Sequence, residues 1–283
     1  MKTILVPVAG SAADAGVLSA ANVLSRALGA HLDCLHIKVD PAAAALNTPH
    51  IGSTRGAAVA GAFRELRERS SRRLAAAAEH VKAFCAEHEI PLSGEIGSGR
   101  SVHWLEAAGD PLPLILAEAR HHDLTIMARP AGSDGLPHDR LETILMASGR
   151  PLLVLPPGVR PESLARPVIL WKETPEAARA VKAALPILAA AGRTTIIGVA
   201  EAGEGEPAAL ISYLALYGVE ARFEPVERGR AGLFAALEAK ARALHADVMI
   251  MGGYGRSRLA EFVFGGVTQT ALERASLPVL VMH

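Results

Sequence analysis

Short apolar runs alternate along the chain with longer stretches in which apolar residues recur every three or four positions. Residues 4–8 (Ile-Leu-Val-Pro-Val) form such a run, and Val17, Ala21, Leu24 and Leu28 follow at helical spacing. Ser11 is positioned as the helix N-cap, with Asp14 three residues on, and Gly29 ends the helix. The pattern then recurs. Residues 168–171 make a second apolar run, Thr174 is the N-cap with Pro175 at the first helical position, and Ala178, Val181, Leu185 and Leu188 supply the buried stripe before Gly192. Residues 3–39 lie over 166–202 without a gap, so the chain is an internal repeat. Its later strands match as well: 123–127 answers 247–251, and 151–155 answers 278–282. The strand runs are apolar throughout rather than alternating with polar residues, as expected of parallel strands covered on both faces. The pattern therefore predicts two α/β domains, residues 1–160 and 161–283, joined by the Pro- and Gly-rich stretch that starts at Pro156-Pro157-Gly158 and runs to Pro167.

The first repeat carries a long insert. Val59, Phe63, Leu66, Ser70, Leu74, Ala77, Val81, Phe84 and His88 recur at helical spacing and predict one long amphipathic helix, preceded by a loop over 40–56. Its other face holds Arg64, Arg67, Arg69, Arg72 and Arg73. Glu65 and Glu68 stand four residues before Arg69 and Arg72, the pairing of a solvated face rather than of a phosphate-binding surface.

Charge and composition narrow the function classes. Lys+Arg 29 balances Asp+Glu 29 in 283 residues, so nucleic acid is not the expected partner. Half the residues are hydrophobic, which excludes a chain disordered throughout, yet no apolar stretch is long enough to predict a membrane span. No export signal is read at the start, and the two cysteines, Cys34 and Cys85, are too few for a disulfide scaffold. The expectation is a cytoplasmic protein with reduced thiols. Cys34-x-His36 and Cys85-x2-His88 contain four soft ligands, but nothing in the sequence brings them together, and no metal site is expected. His121-His122, just before a strand, reads as a cap on the preceding helix C-terminus. No Ser-His-Asp or Cys-His arrangement and no pair of carboxylates at a shared strand end provides a general acid or base, so no catalytic residue is assigned.

The most informative stretch is Met251-Gly252-Gly253-Tyr254-Gly255-Arg256-Ser257, followed by Gly265-Gly266-Val267-Thr268. It leaves a predicted strand at its carboxyl end, where ligands bind in open parallel sheets. Gly252 and Gly255 let backbone approach a ligand, and Gly265-Gly266 opens a helix whose free N–H groups favour an anion. Gly252-x2-Gly255-x9-Gly265 resembles the phosphate-binding signature of the universal stress protein family, Gly-x2-Gly-x9-Gly-Ser/Thr. The flanking runs Ile-Leu-Val-Pro-Val, Ala-Asp-Val-Met-Ile-Met and Leu-Pro-Val-Leu-Val agree, and the resemblance extends over both halves.

This resemblance implies two tandem doubly wound, Rossmann-like parallel sheets of strand order 3-2-1-4-5, packed as an internal dimer. It also implies ATP or another adenine nucleotide, with or without Mg2+, in the second half. Met251, Gly252, Gly255, Gly265, Val267 and Thr268 would lie on the phosphate and ribose side, and Val199-Ala200 on the adenine side. Two positions depart from the family. Gly266 replaces Ser or Thr, and Lys172 replaces the Asp that ends the first strand and contacts the adenosine. Lys172 cannot accept a hydrogen bond but can meet a phosphate or pair with Glu173; Trp171 before it either stacks on a base or fills the core. In the first half Ala9 stands at the Asp position, Gly132 and Gly135 lack the third glycine, and His138-Asp139 falls where Gly265-Gly266 does, so that half is expected not to bind nucleotide. The leading reading is a stress-response binding module with one nucleotide site and an unidentified protein partner. A nucleotide-independent interaction module comes second and a slow ATP hydrolase third. Whether two chains associate stays open.

Overall fold

The computed structural model describes residues 1–38, 57–93, 99–130, 138–199, 206–227, 229, 232–255 and 266–283, with the backbone alone at 57–60, 62, 138 and 139. The first half runs β1 (Thr3–Pro7), α1 (Asp14–Leu28), β2 (His31–Lys38), α2 (Ala57–Glu87), β3 (Val102–Ala108), α3 (Pro111–Ala119), β4 (Leu124–Ala128), α4 (His138–Ser148) and β5 (Leu152–Leu155). The second runs β6 (Pro167–Leu170), α5 (Pro175–Ala191), β7 (Arg193–Val199), α6 (Ala208–Ala215), β8 (Glu220–Val226), α7 (Leu233–Ala243), β9 (Val248–Gly252), α8 (Val267–Arg274) and β10 (Val279–Met282).

Each half is a parallel sheet of the expected order. The two are joined into one ten-stranded sheet, β3-β2-β1-β4-β5-β10-β9-β6-β7-β8. The joint is an antiparallel pair in which Val154, Leu153 and Leu152 of β5 face Val279, Leu280 and Val281 of β10. Pairing these two edges removes two rows of unsatisfied backbone groups from solvent. The internal dimer is thus a single sheet, and its core does not divide at residue 160. One face is covered by α1, α2, α5 and α6, around Val6, Leu24, Val81, Val181, Leu188 and Leu214. The other is covered by α3, α4, α7 and α8, around Ile115, Leu145, Leu237 and Leu272, and both clusters draw on both halves. Among the described residues, no helix is long and apolar enough to cross a membrane.

The local signals mostly hold. Thr174 caps α5, its Oγ1 accepting from the Ala177 N–H at 3.3 Å, with Pro175 in the first turn. Gly29 and Gly192 end their helices with φ of 61° and 69°, the left-handed backbone that glycine adopts without strain. Three readings change. Regular helix α1 begins only at Asp14, although the Ser11 capping pair is present: Ser11 Oγ accepts from the Ala13 N–H at 3.3 Å, and the Asp14 carboxylate accepts from the Ser11 N–H at 3.2 Å as well as from Ala9 and Gly10. Among the described residues, the stripe along α2 is fully buried only toward its C-terminal end, at Ala77, Val81, Phe84 and Cys85, and Leu66 is exposed. The arginine face is solvated as expected, with Arg72 Nη1 3.9 Å from Glu68 Oε2. The Pro-rich joint is packed structure: Ser19 Oγ donates to the Pro161 carbonyl at 2.6 Å and Leu164 is buried in the core. The loop expected over 40–56 lies outside the described residues.

Candidate functional site

Strand β9 ends at Gly252, and the chain turns through Gly253, Tyr254 and Gly255 at the carboxyl edge of the second half's sheet. Residues 256–265, and with them Gly265, lie outside the described residues, as does Ala200. Three hydrogen bonds fix the start of this loop, one of them from His283 Nδ1 to the Gly253 carbonyl at 3.0 Å. Gly253 N–H donates to the Met282 carbonyl at 2.8 Å, tying the loop to β10. Tyr254 N–H donates to Thr268 Oγ1 at 3.2 Å, tying it to the first turn of α8. Tyr254 takes a positive φ of 47°, uncommon for a residue with a side chain. Gly266 is the N-cap of α8, and among the described residues no side-chain hydrogen bond caps that helix. The α8 amides therefore open beside the glycine turn with the partial positive charge of a helix N-terminus.

The residues assigned from sequence separate into two groups. Gly255, Gly266 and Val267 line the turn and helix start, and Val199 is half-buried at the end of β7. Met251 and Thr268 are buried; the Thr268 hydroxyl holds the turn to the helix. Gly252 has a packing reason to be glycine. A Cβ built on it would lie 2.5 Å from the Ala177 nitrogen and 2.7 Å from the Glu176 carbonyl carbon, so the α5 backbone fills that space. Trp171 is half-buried against the core, and its N–H donates to the Ile197 carbonyl at 2.8 Å, while Lys172 is exposed.

Glu176 was not among the sequence assignments. It is buried in the first turn of α5, and its Oε2 would lie 3.7 Å from a Cβ on Gly255. Its Oε1 accepts from Arg179 Nη2 at 2.9 Å. Burial alone would raise this carboxyl. The Glu176 amide, Arg179 and the Thr174 hydroxyl outweigh burial and hold the carboxyl below the usual glutamate value, so it stays ionised beside the turn.

In the first half the β1–α1 turn, the counterpart of the β6–α5 turn from which Lys172 and Glu176 border the site, holds an anion of its own. Asp14, 2% exposed, accepts from the N–H groups of Ala9 and Gly10 at 2.9 Å each and of Ser11 at 3.2 Å, and its Oδ2 lies 2.9 Å from His80 Nδ1 on α2. These amides already hold a carboxylate. Helix α2 also seals the turn from above, because a Cβ on Gly10 would overlap the Arg73 backbone. Gly132 and Gly135, and the side chains of His138 and Asp139, lie outside the described residues.

Residues 151–283 match the universal stress protein family. This half is a universal stress protein domain. The whole chain shares its fold with a universal stress protein from Archaeoglobus fulgidus DSM 4304, at TM-score 0.68 and 19% identity over 99% of this chain and 95% of that one. A protein of unknown function from Pseudomonas aeruginosa PAO1 aligns at TM-score 0.55 and 17% identity over 100% and 92% of the two chains. No curated protein matches the sequence. At this identity the likeness establishes the fold in both halves, and the universal stress protein domain's glycine turn and open α8 terminus carry the functional argument.

Proposed function

We propose that the universal stress protein domain binds one adenine nucleotide per chain, ATP or a close relative, and that the protein acts in stress response as a nucleotide-dependent binding module rather than as an enzyme. The observation that carries this reading is the uncapped N-terminus of α8 set against the Gly252–Gly255 turn at the carboxyl edge of the sheet. Asp14 in the amide turn of the first half supports a count of one site rather than two.

Glu176 favours a second reading, a nucleotide-independent interaction module, because an ionised carboxylate beside Gly255 opposes a phosphate placed there. Calorimetric titration of the full chain with ATP and with adenosine separates the two. The proposal predicts a stoichiometry of one for ATP. Glu176→Gln removes the charge, so it should tighten ATP by about tenfold, equivalent to ~1.4 kcal/mol, and leave adenosine unchanged. No heat with any adenine nucleotide, in the parent or in Glu176→Gln, would establish the second reading instead.

A further inference from the structure

At the amino ends of the first half's strands, opposite the carboxyl edge, one carboxylate is shared by three histidines. Asp33 on β2 is the direct cross-strand neighbour of His103 on β3, and His31 lies two residues before it on the same face. Asp33 Oδ1 lies 3.2 Å from His31 Nε2 and 3.1 Å from His103 Nδ1. Asp33 Oδ2 lies 2.7 Å from Nε2 of His122, which precedes β4.

The two carboxylate oxygens differ in kind. His122 Nδ1 faces the Glu118 carbonyl at 2.7 Å, the helix-end contact its sequence position suggests. Both His122 nitrogens therefore face acceptors. Oδ2 is thereby satisfied and Asp33 is fixed in orientation. On the Oδ1 side, Ser101 Oγ donates to the Gly99 carbonyl at 3.5 Å and so accepts from His31 Nδ1 at 2.7 Å. That assignment turns the lone pair of His31 Nε2 toward Oδ1. In this tautomer the two facing atoms, 3.2 Å apart, both offer lone pairs, the arrangement of two ligands to one ion.

We infer that His31 Nε2, Asp33 Oδ1 and His103 Nδ1 form a binding site for a divalent transition-metal ion of the zinc class. A tetrahedral zinc with bonds of about 2.0–2.1 Å holds its ligand atoms about 3.3 Å apart, close to the two separations found around Oδ1. Among the described residues, these three offer ligand atoms that all lie within 4.8 Å of one another. The supporting shell is that of a metal site: Ser101 fixes the tautomer of one ligating histidine, and His122 bonds the distal oxygen of the ligating carboxylate. The His103 side chain is 31% exposed, which gives the ion a way in and leaves a fourth position for water. The cysteines take no part in this grouping; both are buried, and burial raises both thiols. His36 Nδ1 is bonded to the Val8 carbonyl at 2.9 Å and His88 packs edge-on against Phe84.

The test is titration of the chelator-stripped full chain with ZnCl2, followed by calorimetry, alongside the variants His103→Ala, Asp33→Asn and His88→Ala. One equivalent is expected, unchanged in His88→Ala and weakened at least about tenfold in His103→Ala. His103 lies on the edge strand and is partly exposed, so its variant should fold, as circular dichroism would verify, even where Asp33→Asn does not. Co2+ should give visible ligand-field bands in the parent that disappear in folded His103→Ala. Absence of zinc binding in the parent, or equal affinity in the parent and folded His103→Ala, would overturn the site.

Discussion

Asp14→Ala is expected to cost the fold about 3–5 kcal/mol and to lower the midpoint of thermal unfolding by roughly 10 °C or more. The Asp14 carboxylate is 2% exposed and accepts three backbone N–H groups while contacting His80, so alanine leaves three donors without their acceptor in a turn sealed by α2. Hydrogen bonds to a charged acceptor contribute about 1.5–3 kcal/mol each, and a buried donor left unsatisfied pays its desolvation as well. Asp14→Asn keeps one acceptor oxygen and should recover part of the loss. Urea unfolding at neutral pH measures both variants. A loss below about 1 kcal/mol in Asp14→Ala would mean that water satisfies these amides equally well, and that the first half's turn is not closed by its own anion.

Gly252→Val should destabilise the chain by about 2–3 kcal/mol before any ligand is added. The overlap begins at Cβ, 2.5 Å from the Ala177 nitrogen, and what stands there is helix backbone that cannot rotate aside as a side chain would. Gly252→Ala should therefore incur most of the same loss, which distinguishes this cause from the added bulk of valine. Thermal unfolding of the ligand-free protein is the measurement, and an unchanged midpoint in both variants would show that α5 shifts freely. Loss of nucleotide binding in these variants reports on folding of the α5 start as much as on the phosphate turn.

The repeat and the helix caps were legible because they rest on local patterns: apolar runs, a Thr174-Pro175 start, Gly29 and Gly192 stops; the strand order followed only from the family resemblance. The antiparallel joint was not, because the apolar runs of β5 and β10 read the same whether buried in one sheet or at two separate edges. Polar groupings fared according to how many elements they span. His31 and Asp33 share a face by their spacing alone, yet His103 and His122 join them only through the register of β2 with β3 and the placement of the turn before β4. Asp14 read as half of a capping box, and its bond to the Ser11 amide fits that reading, but the sequence does not show that the same carboxylate also takes the amides of Ala9 and Gly10. Nothing local in the sequence marks Glu176, and only the fold places it beside Gly255.

The central claim is a single nucleotide site, in the universal stress protein domain and not in the first half. Amide NMR of the deuterated, 15N-labelled full chain with added ATP tests it residue by residue. The account predicts that the amides of Gly253, Gly255, Gly266 and Thr268 move on titration, while those of Ala9, Gly10 and Ser11, already bonded to Asp14, stay in place. Movement of the first-half amides, or a spectrum indifferent to ATP, would contradict it.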